Sequence, residues 1–541
     1  MGQKILKRLG IIFLFSLLIS GFIPTVANAA TSQFNSDELN EGLEKDGVLR
    51  VGMEANYAPF NWSQATDDNG AVPIANSSGE YANGYDAQIA KYIADTLGLK
   101  LEIVKLEWDG LPPALESGKI DAIIAGMSPN PDRRQQIDFS NYYYASNFVI
   151  VVQKDSKWTD ATSISDFKGA RITAQLNTLH YDLIDQINGV DKQTAMKDFP
   201  TMITSLSSGK IDGYISEEPG AMAAVASNPD LTYVTFDEGK GFDYNPDDSA
   251  VSVGLRKGSP LVDPINQVLA GYSNNKRSDL MSKMVALNTA DTETGFWQQV
   301  GRVWKTYGSQ FIRGAWMTLL IAIVSTIIGF IIGLIIAIIR TIDVAKRKNP
   351  LAYWTQKVVS FLLTVYIEIF RGTPMMVQAM LIFYGSKLFF NIDMTSLTAA
   401  FLIVSINTGA YLAEVVRGGI TGVDPGQEEA AKAIGMTHLQ TMIKIVLPQA
   451  IRSTLPAIGN EFVINIKDTS VLNVIAVTEL FFVTSSAAGS TYLTFQSFLI
   501  ASIIYFVLTF ATTRLLKLVE NRMSGTKSYE LYEDKAIGGH N

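Results

Sequence analysis

The 541-residue sequence contains no cysteine, which excludes disulfides, thiolate metal sites and a cysteine nucleophile together. Histidine is almost as scarce. Only His180, His438 and His540 occur, so no histidine-rich metal site is expected, and no metal, cofactor or catalytic residue is assigned. No GxxxxGK[ST] run is present, so the chain lacks the usual loop that cradles nucleotide phosphates. A basic surplus is missing too: the net charge is -8, which argues against a nucleic-acid partner. Charged residues make up 18% of the chain and apolar ones 47%. The length allows more than one domain, and the halves differ in kind.

The first residues, "MGQKILKRLGIIFLFSLLISGFIPTVANAA", place Lys4, Lys7 and Arg8 before an apolar run from Leu9 to Ile23. Small residues follow at 27–29. This is the form of a secretory signal peptide over 1–29, with a retained membrane anchor as the alternative. Residues 30–290 are then expected outside the cell.

That segment alternates strand-like and helix-like runs. Strands are predicted at 48–53, 99–106, 120–127, 147–153, 170–176 and 249–255, with a helix at 85–98 capped by Asp86 and closed by Gly98. The alternation predicts an α/β fold with largely parallel sheets. One echo divides it in two: "LESGKIDAIIAGMS" (115–128) and "LSSGKIDGYISEEP" (206–219). Two such units predict two lobes, each offering ligand groups at the carboxyl ends of its strands.

A linker is expected over 291–310, and a membrane domain over 311–525. Residues 314–339 are uncharged for 26 positions, where a span needs about 20. Further spans are expected near 358–386, 396–416, 454–484 and 493–513, the second and fourth interrupted by polar residues. Basic residues in 340–357, Arg417, Lys432, Lys444, Arg452, Arg514, Lys517 and Arg522 should face the cytoplasm, as should a tail at 526–541. Charged residues in or beside the spans should pair, as Glu368/Arg371 and Glu414/Arg417 can at i, i+3.

A capped loop, "DPGQEEAAKAIGMTHLQTMIKIVLPQA" (424–450), interrupts the spans. Asp424 with Gln427, and Thr437 with Gln440, have capping-box spacing. Gly435 suits a left-handed closing residue. Leu439, Met442, Ile443 and Val446 make one apolar face, and Pro448 is expected to end the helix. "EEAAKAIGMTHLQTMIKIVLP" resembles the EAA signature of ABC importer permeases. "YIEIFRGTPMMVQ" (366–378) and "NEFVINIKDTSVLNVI" (460–475) resemble their polar amino-acid branch, so the likeness covers nearly all of 311–523. It implies that Glu429, Ala430, Ala431 and Gly435 belong to a loop that docks on a separate cytoplasmic ATPase, where ATP is bound. About five spans cannot enclose a path alone, so either a second permease copy, in a homodimer, or a close homologue is expected beside it.

Residues 45–287 resemble the amino-acid-binding proteins of the glutamine, histidine and arginine group. The full expectation is a two-lobed α/β periplasmic-binding-protein-like domain followed by an all-α type I ABC permease of about five transmembrane helices. The likeness implies that Arg133 clamps the ligand carboxylate with Ser128, that the Gly126 carbonyl and Glu217 meet the ammonium, and that Tyr57 and Trp108 sandwich the side chain above Phe60. Glu54 faces the ligand in this scheme, and Asn177 and Thr178 replace a usually glycine-rich loop. Either Arg133 or Arg134 can point inward; the spacing to Ser128 favours Arg133. The acids Glu54, Glu107, Glu217 and Glu218 favour glutamine or a basic L-amino acid, unless they face water. An amino-acid-responsive receptor on the same fold is the alternative, and an exported enzyme the remoter one. The EAA-like loop counts against the receptor, and about 200 residues of permease against the enzyme.

Overall fold

The computed structural model describes residues 34–246, 250–287, 295–342 and 350–523. The expected signal peptide and the 526–541 tail lie outside the described residues, as do residues 343–349 of the basic 340–357 loop.

The first half has two lobes, each built on a five-stranded mixed sheet. In lobe 1 the strands Lys100–Lys105, Val48–Met53 and Ala122–Ile123 run parallel, followed by Val251–Leu255, antiparallel, and Asp138–Tyr144. Lobe 2 repeats the order with Asp191–Lys192, Arg171–Thr173, Gly213–Glu217, the antiparallel Phe148–Gln153 and Leu231–Val234. The expected parallel sheets are therefore mixed, because the chain crosses between lobes and each crossing enters a sheet against its neighbours.

The echoed segments occupy the same place in both sheets, and their aspartates explain why. Asp121 accepts the Arg50 backbone N–H at 2.9 Å, and Asp212 accepts that of Arg171 at 2.8 Å. Each aspartate N–H donates back to its arginine's carbonyl at 2.8 Å. Gly118 and Gly209, at φ +71° in both turns, precede them. The predicted cap of the first helix is corrected: Gly84 is the N-cap of Tyr85–Leu97, and Asp86 points into the lobe 1 core instead. Gly98 closes the helix in the left-handed conformation as expected.

The second half is helical. Phe296–Thr341 spans 46 residues, roughly 69 Å at 1.5 Å per residue and far longer than a bilayer core. Residues 296–310, expected as linker, thus begin this helix and reach past the membrane. It crosses Ser396–Thr421 closely: a Cβ on Gly333 would lie 2.8 Å from the Ala413 nitrogen, the close approach small residues allow. Among the described residues, three helices are long and apolar enough to span unbroken, or up to five if each bent pair counts once. The two bent pairs are the second and fourth expected spans. Pro350–Gly372 turns 111° into Met375–Phe390 at Pro374, and Gln378 Nε2 satisfies the freed carbonyls of Phe370 and Thr373, each at 3.0 Å. The other pair bends by 56° before Glu479, whose carboxylate caps the next helix through the Phe482 N–H at 2.8 Å.

The binding lobes and the 425–446 loop sit at opposite ends of this bundle. At one end Tyr307 donates to the Ser63 carbonyl (3.1 Å) and Lys119 pairs with Asp393 (2.9 Å) over the Phe383 ring. At the other, Met442 and Val446 pack with Ala337, Val416 and Ala450. Along the first helix alone, Tyr307 and Ala337 are roughly 45 Å apart.

Candidate functional site

The cleft between the lobes is closed, and its latches are the residues the sequence singles out. Asn130 caps the short helix Pro131–Gln136 by accepting the Arg133 N–H at 2.9 Å, which fixes where the guanidinium points. Arg133 donates through Nη1 to the Ser128 carbonyl (2.8 Å) and through Nη2 across the cleft to the Asn177 carbonyl (2.6 Å). It lies 5.2 Å from the Trp108 ring centre. Arg134 turns away, with Nε on the Pro129 carbonyl at 2.7 Å. Burial lowers the Arg133 guanidinium to about 10, so it stays charged at neutral pH. A cavity of about 700 Å³ opens beside it, lined by Trp108, Asp109, Arg133, Asn177 and Thr178.

Asn177 takes the left-handed conformation at φ +58°, which asparagine tolerates better than most residues. Its amide donates to Asp109 at 3.1 Å, a second bridge between lobes. The Thr178 hydroxyl donates to the Gln175 carbonyl of its own loop at 2.6 Å.

Deeper in the cleft the aromatic pairing differs from the expected one. Tyr57 does not face Trp108. It stacks on Phe199 of lobe 2 (4.3 Å, 11°), with Phe60 beneath it at 5.1 Å, and its hydroxyl donates to Glu217. The Glu217 carboxylate also lies 2.9 Å from His180 Nε2. Burial pushes Glu217 up, but His180 and the Tyr57 hydrogen bond outweigh it and the net shift is downward. Gly126, at φ +64°, lets Tyr57 lie over its backbone, since a Cβ there would sit 3.2 Å from the ring. Eight of the nine expected residues therefore form two groups, with Glu54 apart from both. Trp108, Arg133, Asn177 and Thr178 line the cavity, and Ser128 holds Arg133 through its carbonyl, whereas Tyr57, Gly126 and Glu217 form the buried core of the closed cleft.

Glu54 is 3% exposed, and its Oε1 has no hydrogen-bond partner among the described residues. Burial pushes its carboxyl up to about 8, the Glu107 and Asp198 carboxylates add to that, and Lys197 opposes it. Lys197 bridges the lobes by pairing with Glu107 at 2.5 Å. His180, Phe199, Asp109 and Lys197 were not predicted as site residues. Only the "KDFP" cap signal at 197–200 hinted that a helix start faces the cleft there.

A buried chain of hydrogen bonds supports both ligand-facing loops. The Gly126 N–H donates to the Tyr143 hydroxyl (3.1 Å), which donates to Asp86 (2.7 Å). Asn61 donates to the other Asp86 oxygen (2.7 Å) and accepts the Ala55 N–H (2.7 Å). Burial raises Asp86 to about 7 against the opposing bonds from Tyr143 and Asn61. Asp86 and Glu54 thus keep protons that the unfolded chain releases near pH 4, so their linkage lowers stability as pH rises from about 4 to about 8. The Asp86→Asn/Glu54→Gln double variant should therefore gain thermal stability relative to the parent between pH 5 and pH 8, followed as unfolding midpoints of the full chain. An equal difference at both pH values would refute this.

At the far end of the bundle Asp424 caps Pro425–Ala433 through the Gly426 N–H (2.8 Å), not through a box with Gln427. The Thr437–Gln440 box forms, and Gly435 is left-handed at φ +82°. Pro448 does not end the second helix. A π turn over Met442–Val446 shifts the hydrogen-bond register so that the helix continues as Leu447–Asp468. The expected apolar face splits: Met442 and Val446 are buried, whereas Leu439 is 67% and Ile443 55% exposed. Ala431 packs inward, and Glu429, Ala430 and Gly435 are exposed. Glu414 pairs with Arg417 at 2.7 Å, joined by Arg340, while Arg371 lies 5.4 Å over the Tyr411 ring.

Known proteins divide along the same line. Residues 49–284 match the bacterial extracellular solute-binding proteins, family 3, and residues 350–525 match the inner membrane component of binding-protein-dependent transport systems. The probable amino-acid permease protein YxeN of Bacillus subtilis is 40% identical over 220 residues, covering 40% of this chain and 95% of that protein. A probable histidine-binding protein of Campylobacter jejuni is 31% identical over 225 residues, covering 41% and 80%. A Streptococcus pneumoniae amino-acid ABC transporter substrate-binding protein, solved with L-arginine, aligns over 44% of this chain and 94% of its own at 27% identity and a TM-score of 0.39. The chain belongs to the amino-acid ABC transporters, as one polypeptide that fuses a family 3 solute-binding domain to a binding-protein-dependent permease domain.

Proposed function

We propose that the chain captures a polar L-amino acid, glutamine or a basic one, outside the cell and imports it with ATP hydrolysed by a separate cytoplasmic subunit. The observation that carries this reading is the pairing, across one cleft, of a planar arginine fork with a buried carboxylate. Arg133 matches an α-carboxylate and Glu217 an α-ammonium. Binding then replaces the internal partners: a ligand carboxylate takes the donors now held by the Ser128 and Asn177 carbonyls, and a ligand ammonium takes the place of the Tyr57 hydroxyl at Glu217. The Oε1 of Glu54, which has no hydrogen-bond partner among the described residues, can accept from a side chain that donates a hydrogen bond, such as an amide.

Orientation follows from charge. Arg340, Arg417, Lys432 and Lys444 gather at the end that carries the 425–446 loop, which supports a cytoplasmic position for that end and an outer one for the lobes. Ile434, Leu439 and Ile443 project from the loop as an exposed apolar patch suited to a groove of the ATPase. The apolar outer faces of Pro350–Gly372 and Thr494–Met523 suit lipid and a second permease copy.

Calorimetric titration of the full chain in lipid nanodiscs with each of the twenty amino acids tests the reading. A response confined to a few polar, non-acidic amino acids is expected. No response would overturn the cleft assignment, and preferential binding of glutamate or aspartate would overturn the substrate class.

A further inference from the structure

A second cavity lies where the chain crosses between the lobes, and it shares no lining residue with the substrate cleft. One crossing, 145–147, leads from the lobe 1 strand Asp138–Tyr144 to the lobe 2 strand Phe148–Gln153, and the return crossing passes Tyr244. The cavity, about 670 Å³, takes its walls from both crossings and from two helices. Glu218–Ser227 belongs to lobe 2, and Asn274–Leu287 is held to lobe 1 by Arg277 on the Tyr142 carbonyl at 2.9 Å. That size is ordinary for a small-molecule site. Asn147 joins the parts: its carbonyl accepts the Glu218 N–H at 3.0 Å, and its Oδ1 lies 3.5 Å from the Tyr244 hydroxyl.

Glu218, one of the acids expected at the cleft, lines this cavity instead. It is half-buried and the only charged residue among the described lining, and no cation pairs with it among the described residues. Burial raises the Tyr144 phenol and the Glu218 carboxylate raises it further, so the two groups stand close. Both tyrosine rings on the wall are fixed by packing: Tyr244 lies edge-on to Phe148 at 4.8 Å, and Tyr144 edge-on to Phe60 at 5.9 Å. Because Phe60 lies beneath Tyr57, one aromatic layer separates this cavity from the interlobe stack.

We propose that this cavity is a second ligand site, for a small organic ammonium without a carboxylate, and that its occupancy favours the arrangement with the lobes together. An ammonium is drawn to the unpaired carboxylate and to the faces of the tyrosine rings. The thioethers of Met222 and Met281 offer adaptable apolar surface to the rest of the molecule. A free amino acid suits the site poorly, because its carboxylate would meet Glu218 at like charge and find no cation in the lining. The cleft, with Arg133, has the opposite chemistry. The walls come from both lobes, so opening changes their spacing. A ligand that fits the closed spacing binds that arrangement better and, by linkage, stabilises it.

The test uses no amino acid, so a wrong substrate class cannot be mistaken for its failure. The full chain in nanodiscs is titrated by calorimetry with benzyltrimethylammonium, and with benzyl alcohol as a neutral counterpart. Saturable binding of the cation alone is expected. Glu218→Gln should weaken it by about ten-fold or more, and Tyr244→Leu by roughly two- to five-fold. Glu217→Gln alters the cleft carboxylate and should leave the cation affinity within about two-fold, because the two sites are separate. The link to closure is read as an interlobe distance. Because the chain has no cysteine, Asp95→Cys on lobe 1 and Glu238→Cys on lobe 2, both exposed, carry spin labels for pulsed electron resonance. Tyr57→Ala is added to remove the stack on Phe199 and populate open lobes. The cation should then raise the share of the short distance, and should fail to do so once Glu218→Gln is also present. No saturable binding, or binding lost in Glu217→Gln and kept in Glu218→Gln, would overturn the site. Binding without any change in the distances would overturn its link to closure.

Discussion

Replacing Arg133 by alanine is expected to weaken amino-acid binding to the full chain by about 2–5 kcal/mol, roughly thirty-fold or more in Kd. Two effects act in the same direction. The variant loses two charge-assisted donors for the ligand carboxylate and removes the cation stacked on Trp108. Arg133→Lys separates charge from shape. It keeps the positive charge but not the planar fork, so it should recover only part of the affinity. Arg134→Ala is the negative control, because Arg134 is exposed and bonds its own loop. Calorimetry on the three variants checks the ranking. Equal losses at 133 and 134 would remove Arg133 from the clamp.

Changing Gly435 to valine is expected to bring uptake into proteoliposomes, assayed with the partner ATPase, down to background while leaving the amino-acid Kd within about two-fold. The penalty is conformational. Nothing lies within 4 Å of a Cβ built at Gly435, so a side chain meets no obstacle there, but φ +82° is strained for a β-branched residue. Relieving the strain costs about 1–2 kcal/mol locally and re-aims Ile434, Leu439 and Ile443, the exposed apolar side chains on either side of the turn. Gly435→Asn tests that account, because asparagine accepts the left-handed region and should retain more transport than valine. Loss of binding in Gly435→Val would break the separation between capture and coupling, whose sites lie at opposite ends of the bundle.

Features set by local chemistry were visible in the sequence. The repeated "SGKID" unit marked two lobes because its glycine turn and paired aspartate impose the same geometry twice. The polar interruptions in the second and fourth apolar runs marked the two spans that bend, because proline or a capping glutamate must reset the hydrogen bonds there. The Thr437 box and left-handed Gly435 formed where their spacing put them.

Features set by distant partners were not visible. Asp86 has the spacing of a cap, yet Asn61 and Tyr143 draw it into the core. Tyr57 bonds Glu217 across 160 positions, so no local pattern could show that it pairs with Phe199 and not Trp108. Pro448 breaks an isolated helix, but a π turn absorbs the missing donor when the bundle holds both sides. The split of the Leu439, Met442, Ile443 and Val446 face also needed the bundle, which covers only two of the four.

The long first helix changes the kinetics of capture. Its projecting end joins the lobes to the bundle in one covalent body, so docking is intramolecular and not a diffusive encounter between separate molecules. For short tethers the effective concentration is in the millimolar range, which makes a weak docking contact sufficient. Under the proposed function, docking then does not depend on how much separate binding protein the cell secretes.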